Sequence, residues 1–530
     1  MQFLNELIEF SEQAGIGAPV WHGIAAHESE LLSFAVAVHH ASGRLAALWG
    51  TDERANKAGF RLHCVFGLEA GHAWISLDLS SENPVYPDLS GIFPAANRMQ
   101  RATYDMVGIR STSSDQRPWL RHGGWPADYF PLQTTAPITT NFTNIPTDYD
   151  FLQVGGEGAH EIPVGPIHAG IIEPGHFRFS VVGERVLRLE QRLGYQHKGT
   201  EQRLMGATIE QGAKLIGRIS GDSTCAYAAA YANAVEAAYG IEPPPRALGL
   251  RALILERERI ANHLGDLGML GNDVAFGFGL TQFFKLKEDW VRQSALAFGH
   301  RFMMDCIVPG GVAANATADM LTLMKLHCDV VEKTVRELKT IYDEHAGLQD
   351  RFLTCGPISD ALTQELSLTG IAARATGMLL DGRAWSQGYE PPVPYAGLGV
   401  RPASDMRGDV TARAAVRFGE IFESLRLLRK LIAGMPGGLL RTKLPAPLVG
   451  EGQGERGSNL RKGLGVVEGW RGEILVAVQL DSEGKLTRVH PHDPSWQLWP
   501  ALEHAVLKDI VPDFPVINKS FNLSYSGADL

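Results

Sequence analysis

The chain has 530 residues, of which 45% are hydrophobic and 20% charged, and a formal net charge of −10 at pH 7. That length exceeds one ordinary hydrophobic core and calls for two or more domains, while the composition excludes a disordered chain. The acidic balance argues against a nucleic-acid partner, and no apolar run approaches the roughly 20 residues that cross a bilayer.

Residues 1–12 carry acidic groups and no basic start, so they do not form a secretory signal. Apolar runs at 31–38 and 44–48, separated by His39-His40-Ala41-Ser42-Gly43, predict a hairpin. Runs at 61–67 and 73–79 around Glu69-Ala70-Gly71 predict a second. Ala95, Met99, Ala102 and Met106 share one side of a predicted helix over 93–107. Residues 126–146 are rich in Pro, Thr and Asn and lack periodicity. They set the expected boundaries: a domain at 1–135, a linker at 136–150 and a domain at 151–530.

In the second part, 177–182 and 185–189 flank Gly183-Glu184, a compact hairpin signal. Helical patterns then dominate from about 193 to 434. They include 223–239, with Ser or Asp available as its cap, 247–267, 278–304, 316–346 and 410–431. Glu256-Arg257-Glu258-Arg259 alternates charge and reads as a solvated helix face. His263 on the same helix reads as core or interface. The glycine-rich stretch 450–457 reads as a loop without the Lys-Ser or Lys-Thr of a phosphate-binding loop. A hairpin over 473–480 and 486–489, a short helix over 500–507 and an extended tail complete the chain. No dinucleotide fingerprint follows a strand, so the chain should not itself bind NAD. The five cysteines (Cys64, Cys225, Cys306, Cys328, Cys355) are scattered, with no C-x-x-C pair. They read as buried thiols of a reducing compartment, and the chain carries no iron–sulfur cluster of its own.

Two short motifs are the most informative. Arg218-Ile219-Ser220-Gly221-Asp222-Ser223 has the frame R-x-C-G-x-C, and Asp493-Pro494-Ser495-Trp496-Gln497-Leu498 has the frame D-P-C-x-x-C. Both resemble the nickel-ligand motifs of nickel–iron hydrogenases, with serine at three ligand positions and leucine at the fourth. Tyr104-Asp105-Met106-Val107-Gly108-Ile109, Arg121-His122-Gly123-Gly124-Trp125-Pro126 and Phe130-Pro131-Leu132 resemble the signature of the thirty-kilodalton subunit of respiratory complex I. Gly165-Pro166-Ile167-His168, Glu173-Pro174-Gly175-His176-Phe177-Arg178 and Tyr195-Gln196-His197-Lys198-Gly199-Thr200-Glu201 resemble its forty-nine-kilodalton subunit. They are closer still to the fused large subunits of group 4 membrane-bound hydrogenases, those of formate hydrogenlyase and hydrogenase 4. The resemblance implies an α+β chain. Its small N-terminal α+β domain would be like the thirty-kilodalton subunit, and the mainly helical domain that follows would be hydrogenase large-subunit-like, with peripheral β-hairpins.

The departures from the family pattern bear on function. Soft thiolates hold nickel, and the hydroxyls of Ser220, Ser223 and Ser495 and the isobutyl group of Leu498 do not replace them. No metal is expected. The forty-nine-kilodalton relatives place a quinone in the corresponding cavity, between a histidine and a tyrosine. His176 falls at the histidine position; the tyrosine position falls near Gly221, with Tyr227 the candidate substitute. The resemblance therefore assigns His176, Arg178, Arg218 and Tyr227 to a quinone cavity, and His176, His168 and Glu173 to proton transfer. Arg471 and Glu473 are expected to form a buried pair, and Asp493 to shape a turn before Pro494. The tail 499–530 is expected to remain attached and packed. The implied partners are an iron–sulfur small subunit with a [4Fe–4S] cluster and antiporter-like membrane subunits. The chain would lie in the cytoplasm, peripheral on the inner membrane through those partners. Two functions are compatible with this: electron transfer from the partner cluster to a quinone or other acceptor, and a non-catalytic scaffold that couples to an ion-translocating membrane arm.

Overall fold

The computed structural model describes residues 8–13, 19–56, 59–137, 142–143, 148–168, 172–384, 394–445 and 460–530. The glycine-rich stretch 450–457 and part of the expected linker lie outside the described residues.

The N-terminal part is a five-stranded sheet in the order Phe10–Glu12, Val20–Ala25, Gly71–Leu79, Phe60–Leu68, Arg44–Asp52. The hairpin of Phe60–Leu68 with Gly71–Leu79 is the expected one. The hairpin expected at 31–48 is not formed. Glu28–His40 is a helix that buries Leu31, Phe34, Ala35 and Val38. Those four positions have the i, i+3, i+4, i+7 spacing of a helix face, and that period overrides the strand-like composition of the run. The helix Ala96–Val107 buries Met99, Ala102 and Met106. Asp105, from the first complex I signature, is almost fully buried and accepts hydrogen bonds from the backbone N–H groups of Trp119, Leu120 and Arg121. The signature aspartate thus fixes the loop that carries the next signature block.

The other face of the sheet packs on the C-terminal part. Val20, Trp49, Val65 and Trp74 share a core with Leu464, Leu475 and Ala477. These belong to a second antiparallel sheet, Arg461–Glu468, Glu473–Leu480, Leu486–His492. That sheet lies against the alanine-rich helix Thr224–Tyr239. A methyl group at Gly463 or Gly465 would collide with the carbonyls of Ala234 and Ala230, so glycine is what lets strand and helix touch. A third sheet joins Ala159–Val164, His176–Val182 and Arg185–Arg192. Long helices at Pro245–Asp273, Gly277–Phe298, Ala318–Glu344 and Val410–Ala433 build the rest.

Four further expectations are corrected. Ser223 occupies the cap position of Thr224–Tyr239 but makes no side-chain cap. The Glu258 carboxylate reaches across from its own helix and accepts from the N–H groups of Cys225 and Ala226, at 2.6 and 3.1 Å. Glu256, Arg257, Glu258 and Arg259 are buried, not solvated. Each finds partners on elements distant in sequence. Arg383 and Tyr395 bond Glu256, Trp290 and Ser294 bond Arg257, and Glu420 bonds Arg259. The tail is helical rather than extended, with Phe514–Phe521 and Tyr525–Asp529 both packed inward. Pro512 and Pro515 start helical turns there, because proline is tolerated where the N–H has no intrahelical partner. The short helix at 500–507 also begins earlier, at Ser495, and runs to Ala505 with Pro500 inside it.

Candidate functional site

The two degenerate motifs, far apart in sequence, are brought together. Ser220 and Ser223 flank a short 3-10 turn at the start of Thr224–Tyr239; Ser495 begins the helix Ser495–Ala505. Ser524 from the tail bridges them: its hydroxyl donates to Ser220 Oγ at 3.0 Å, and its N–H donates to Ser495 Oγ at 2.9 Å. Tyr227 ties the same two elements by donating to Asp493 at 2.7 Å. Asp493 also accepts from the N–H of Ser495 at 2.8 Å, the turn role expected of it. Leu498 is fully buried apolar core.

Asp222, the variable position of the first motif, organises the site. Its carboxylate accepts from the hydroxyls of Ser220 (2.6 Å) and Ser223 (3.0 Å) and from Arg471 Nη2 (2.7 Å). Arg471 is 2% exposed and Asp222 is 36% exposed at the side chain, so the anion is partly open to solvent and the cation is buried. Burial opposes ionisation of Asp222, but Arg471 and the two hydroxyls override it and hold the carboxyl below its usual range. Arg471 also reaches Ser223 Oγ at 3.3 Å and the carbonyl of Asn522 at 2.6 Å. The expected Arg471–Glu473 pair is absent: Arg471 lies in the bend before the strand Glu473–Leu480 and turns to Asp222, and Glu473 instead pairs with Arg44 (2.6 Å) and His72 (3.1 Å) of the N-terminal part.

These residues do not suit a soft metal. Three candidate donors are hydroxyls engaged in hydrogen bonds, the fourth position is a hydrocarbon, and a guanidinium already lies against one of the hydroxyls, Ser223 Oγ. A nickel ion there would meet the Arg471 cation and no thiolate. The nearby Cys225 does not supply a thiolate. It is buried, its thiol donates to the carbonyl of Phe302 at 3.3 Å, and burial beside Glu258 pushes it well above its ordinary value.

The proton-transfer candidates lie on the loop before His176–Val182. His176 is 9% exposed, and its Nδ1–H donates to the carbonyl of Gly165 at 3.2 Å. Burial lowers its affinity for a proton, so the ring is neutral at pH 7 and Nε2 carries a bare lone pair. His168 donates to the carbonyl of Gly175 at 2.7 Å, and Glu173 accepts from the N–H of Ser526 at 3.1 Å, which pins the tail to this loop. Arg178 pairs with Glu161 at 3.0 Å and covers the ring of Phe151. Arg218 is half-exposed and paired with Asp305 at the surface. Tyr227 is fully buried. The structure thus brings Ser220, Ser223, Ser495, Leu498 and Tyr227 into one region and links Glu173 to it through the tail. Arg218 turns away.

Sequence reasoning missed Asp222, Ser524 and Lys198. Lys198 donates to the carbonyls of Arg218 and Ile219, at 3.0 and 2.6 Å, and so holds the first motif in place. Its presence in the matching block Gln196-His197-Lys198-Gly199 was the available signal. A larger cavity of about 1010 Å3 lies elsewhere, between the N-terminal sheet and the helices; Ala384 and Pro394 bound it, and none of the quinone or proton-transfer candidates lines it.

Comparison with known proteins agrees with this architecture. Residues 24–142 match the family of the respiratory-chain NADH dehydrogenase 30 Kd subunit, and residues 273–530 that of the 49 Kd subunit. The chain is 30% identical to hydrogenase-4 component G of Escherichia coli K12, over 92% of this chain and 84% of that protein. It is 28% identical to formate hydrogenlyase subunit 5 of the same organism, over 92% and 85%. With the C/D polypeptide of the NADH-quinone oxidoreductase of Phocaeicola vulgatus it shares 27% identity, over 76% and 78%. A chain in the structure of the membrane-bound sulfane sulfur reductase, an archaeal respiratory membrane complex, superposes with a TM-score of 0.63 at 23% identity, over 71% of this chain and 99% of that one.

Fold and paired loops together define a fusion of the 30 Kd-type and 49 Kd-type subunits of the complex I and hydrogenase class. Within that class the chain belongs to the family of hydrogenase-4 component G and formate hydrogenlyase subunit 5.

Proposed function

We propose that the chain is the large subunit of a membrane-associated oxidoreductase complex, passing electrons from a [4Fe–4S] cluster in a small-subunit partner to a quinone or similar acceptor without nickel. Antiporter-like membrane subunits would anchor it, since no helix among the described residues is long and apolar enough to cross a membrane. The observation that carries this reading is the filled ligand site. Hydroxyls and an Asp222–Arg471 pair stand where relatives place thiolates, and the neighbouring loop still presents His176. With Nδ1–H committed to Gly165, His176 can accept a proton at Nε2 and must first be protonated there to donate one.

The second reading is a scaffold that couples a redox partner to an ion-translocating arm. It is favoured by the engagement of Tyr227 with Asp493, Arg218 with Asp305 and Arg178 with Glu161, which leaves three of the four proposed quinone contacts committed elsewhere. One experiment separates the two. Quinone-linked turnover of the purified complex is measured with wild-type chain and with His176→Ala. The redox reading expects a fall of about a hundredfold or more in the variant. Measurable turnover unchanged by the substitution removes His176 from proton transfer, and absence of turnover in a complete wild-type complex supports the scaffold.

A further inference from the structure

A small void lies where the N-terminal sheet meets the second degenerate motif. Its volume is about 20 Å3, and its walls include Trp49, Met99, Glu201, His490, His492 and Trp496. Three ring nitrogens of these walls, His490 Nε2, His492 Nδ1 and Trp496 Nε1, are buried and have no hydrogen-bond partner among the described residues.

Their protonation states follow from their neighbours. His490 Nδ1 lies 2.9 Å from Glu201 Oε1, an ionised acceptor held to about 2 against its own burial by Arg488 and His490. Nδ1 therefore carries the proton, and Nε2 is a bare acceptor. His492 Nε2 lies 3.1 Å from Gln497 Oε1. The Gln497 amide is oriented by its NH2 group, which donates to the carbonyl of Ala46 at 2.9 Å. So His492 Nε2 carries the proton, and Nδ1 is the second bare acceptor. Trp496 Nε1–H is a donor only. Burial lowers both imidazoles, His492 to about 3, so neither gains a second proton near neutral pH. The other charged groups facing the void are Glu201 and Arg488, which are paired to each other at 2.7 Å.

Two acceptors and one donor around one small void match a single molecule with two O–H donors and a free lone pair. We infer that one water molecule is bound here as a fixed part of the fold, donating to His490 Nε2 and His492 Nδ1 and accepting from Trp496 Nε1. The void exceeds the roughly 10–15 Å3 that one water needs, and three polar partners are the usual number for a buried one. The indole of Trp49, stacked on His490 at 4.7 Å, closes one side. The water completes a string from Glu201 through His490, His492 and Gln497 to the backbone of Ala46 in the N-terminal sheet. Asp493 and Ser495 follow His492 directly, so the string sets the second motif relative to the N-terminal part.

An experimental map of the purified full-length chain or its complex, at a resolution that shows ordered solvent, tests this. One solvent peak within hydrogen-bond distance of all three nitrogens is expected. No peak, or a ring rotated so that protein groups satisfy these nitrogens, overturns the inference. Trp496→Phe removes the donor and keeps the aromatic wall. Amide exchange over 490–498 should quicken about tenfold in this variant, and unchanged exchange overturns the positioning role. If the variant does not fold, the wild-type map alone decides.

Discussion

Replacing Asp222 by asparagine tests the organising contact of the site. Asparagine keeps the shape of the side chain and removes its charge. Arg471 is then left 2% exposed without its nearest anion, and the hydroxyls of Ser220 and Ser223 lose a charged acceptor. Removing one partner of a buried pair costs about 3–5 kcal/mol. Asp222 is itself 36% exposed, so water recovers part of that and about 2–3 kcal/mol is expected. A chain of several packed parts does not melt as one unit, so local opening is the better readout. Amide exchange over 219–227 and 469–472 should accelerate about 30- to 150-fold, given that 1.4 kcal/mol is roughly a factor of ten. The companion double variant Asp222→Asn with Arg471→Met removes both charges and should recover most of the protection. Exchange unchanged in the single variant, or a double variant worse than the sum of its parts, would refute the reasoning.

Glu420 is the buried node of the helical part, accepting from Arg259 (2.8 Å), Arg374 Nε (2.9 Å) and His263 (2.8 Å). Glu420→Gln should destabilise this part by about 3–5 kcal/mol, seen as faster amide exchange over 256–263 and 416–424; unchanged exchange would remove the node from the account. Gly465→Ala drives a methyl group into the carbonyl of Ala230 and should cost about 1–3 kcal/mol, read as faster amide exchange over 224–239 and 461–468. The seam between the two parts should loosen in acid. His492 is held to about 3 against an ordinary 6.5, so the unfolded chain binds the proton first and stability falls as pH drops through that window. Glu201, held to about 2 against 4.5, contributes stability that is full above 4.5 and is lost toward 2, in the same direction. Exchange over 486–498 measured from neutral to acid pH checks both; protection that increases on acidification would contradict them.

The sequence carried the paired motifs, the family and most of the helices, because a ligand frame and a 3.6-residue period are local signals. What it hid was set by distant partners. Glu256-Arg257-Glu258-Arg259 has the charge pattern of a solvated face, and only Arg383, Glu420 and Trp290, up to 161 positions away, show it to be interior. The same holds for Arg471. Its spacing from Glu473 suggested a pair, but Arg471 sits in the bend before the strand that Glu473 opens, and the two turn toward Asp222 and Arg44. His176 was legible as a position, but its tautomer was not, since Gly165 lies on the far side of a loop. The tail was expected to be extended, but Pro512 and Pro515 stand at helix starts.

The central claim is that the loops of the two degenerate motifs lie face to face and are locked by hydrogen bonds and an ion pair in place of metal. An experimental map of the intact complex between residues 220–223 and 493–498 tests it most directly. The account predicts Arg471 bonded to Asp222, with the Ser524 hydroxyl bridging Ser220 and its N–H on Ser495. A binuclear metal centre in that space, or the two loops apart, would contradict it.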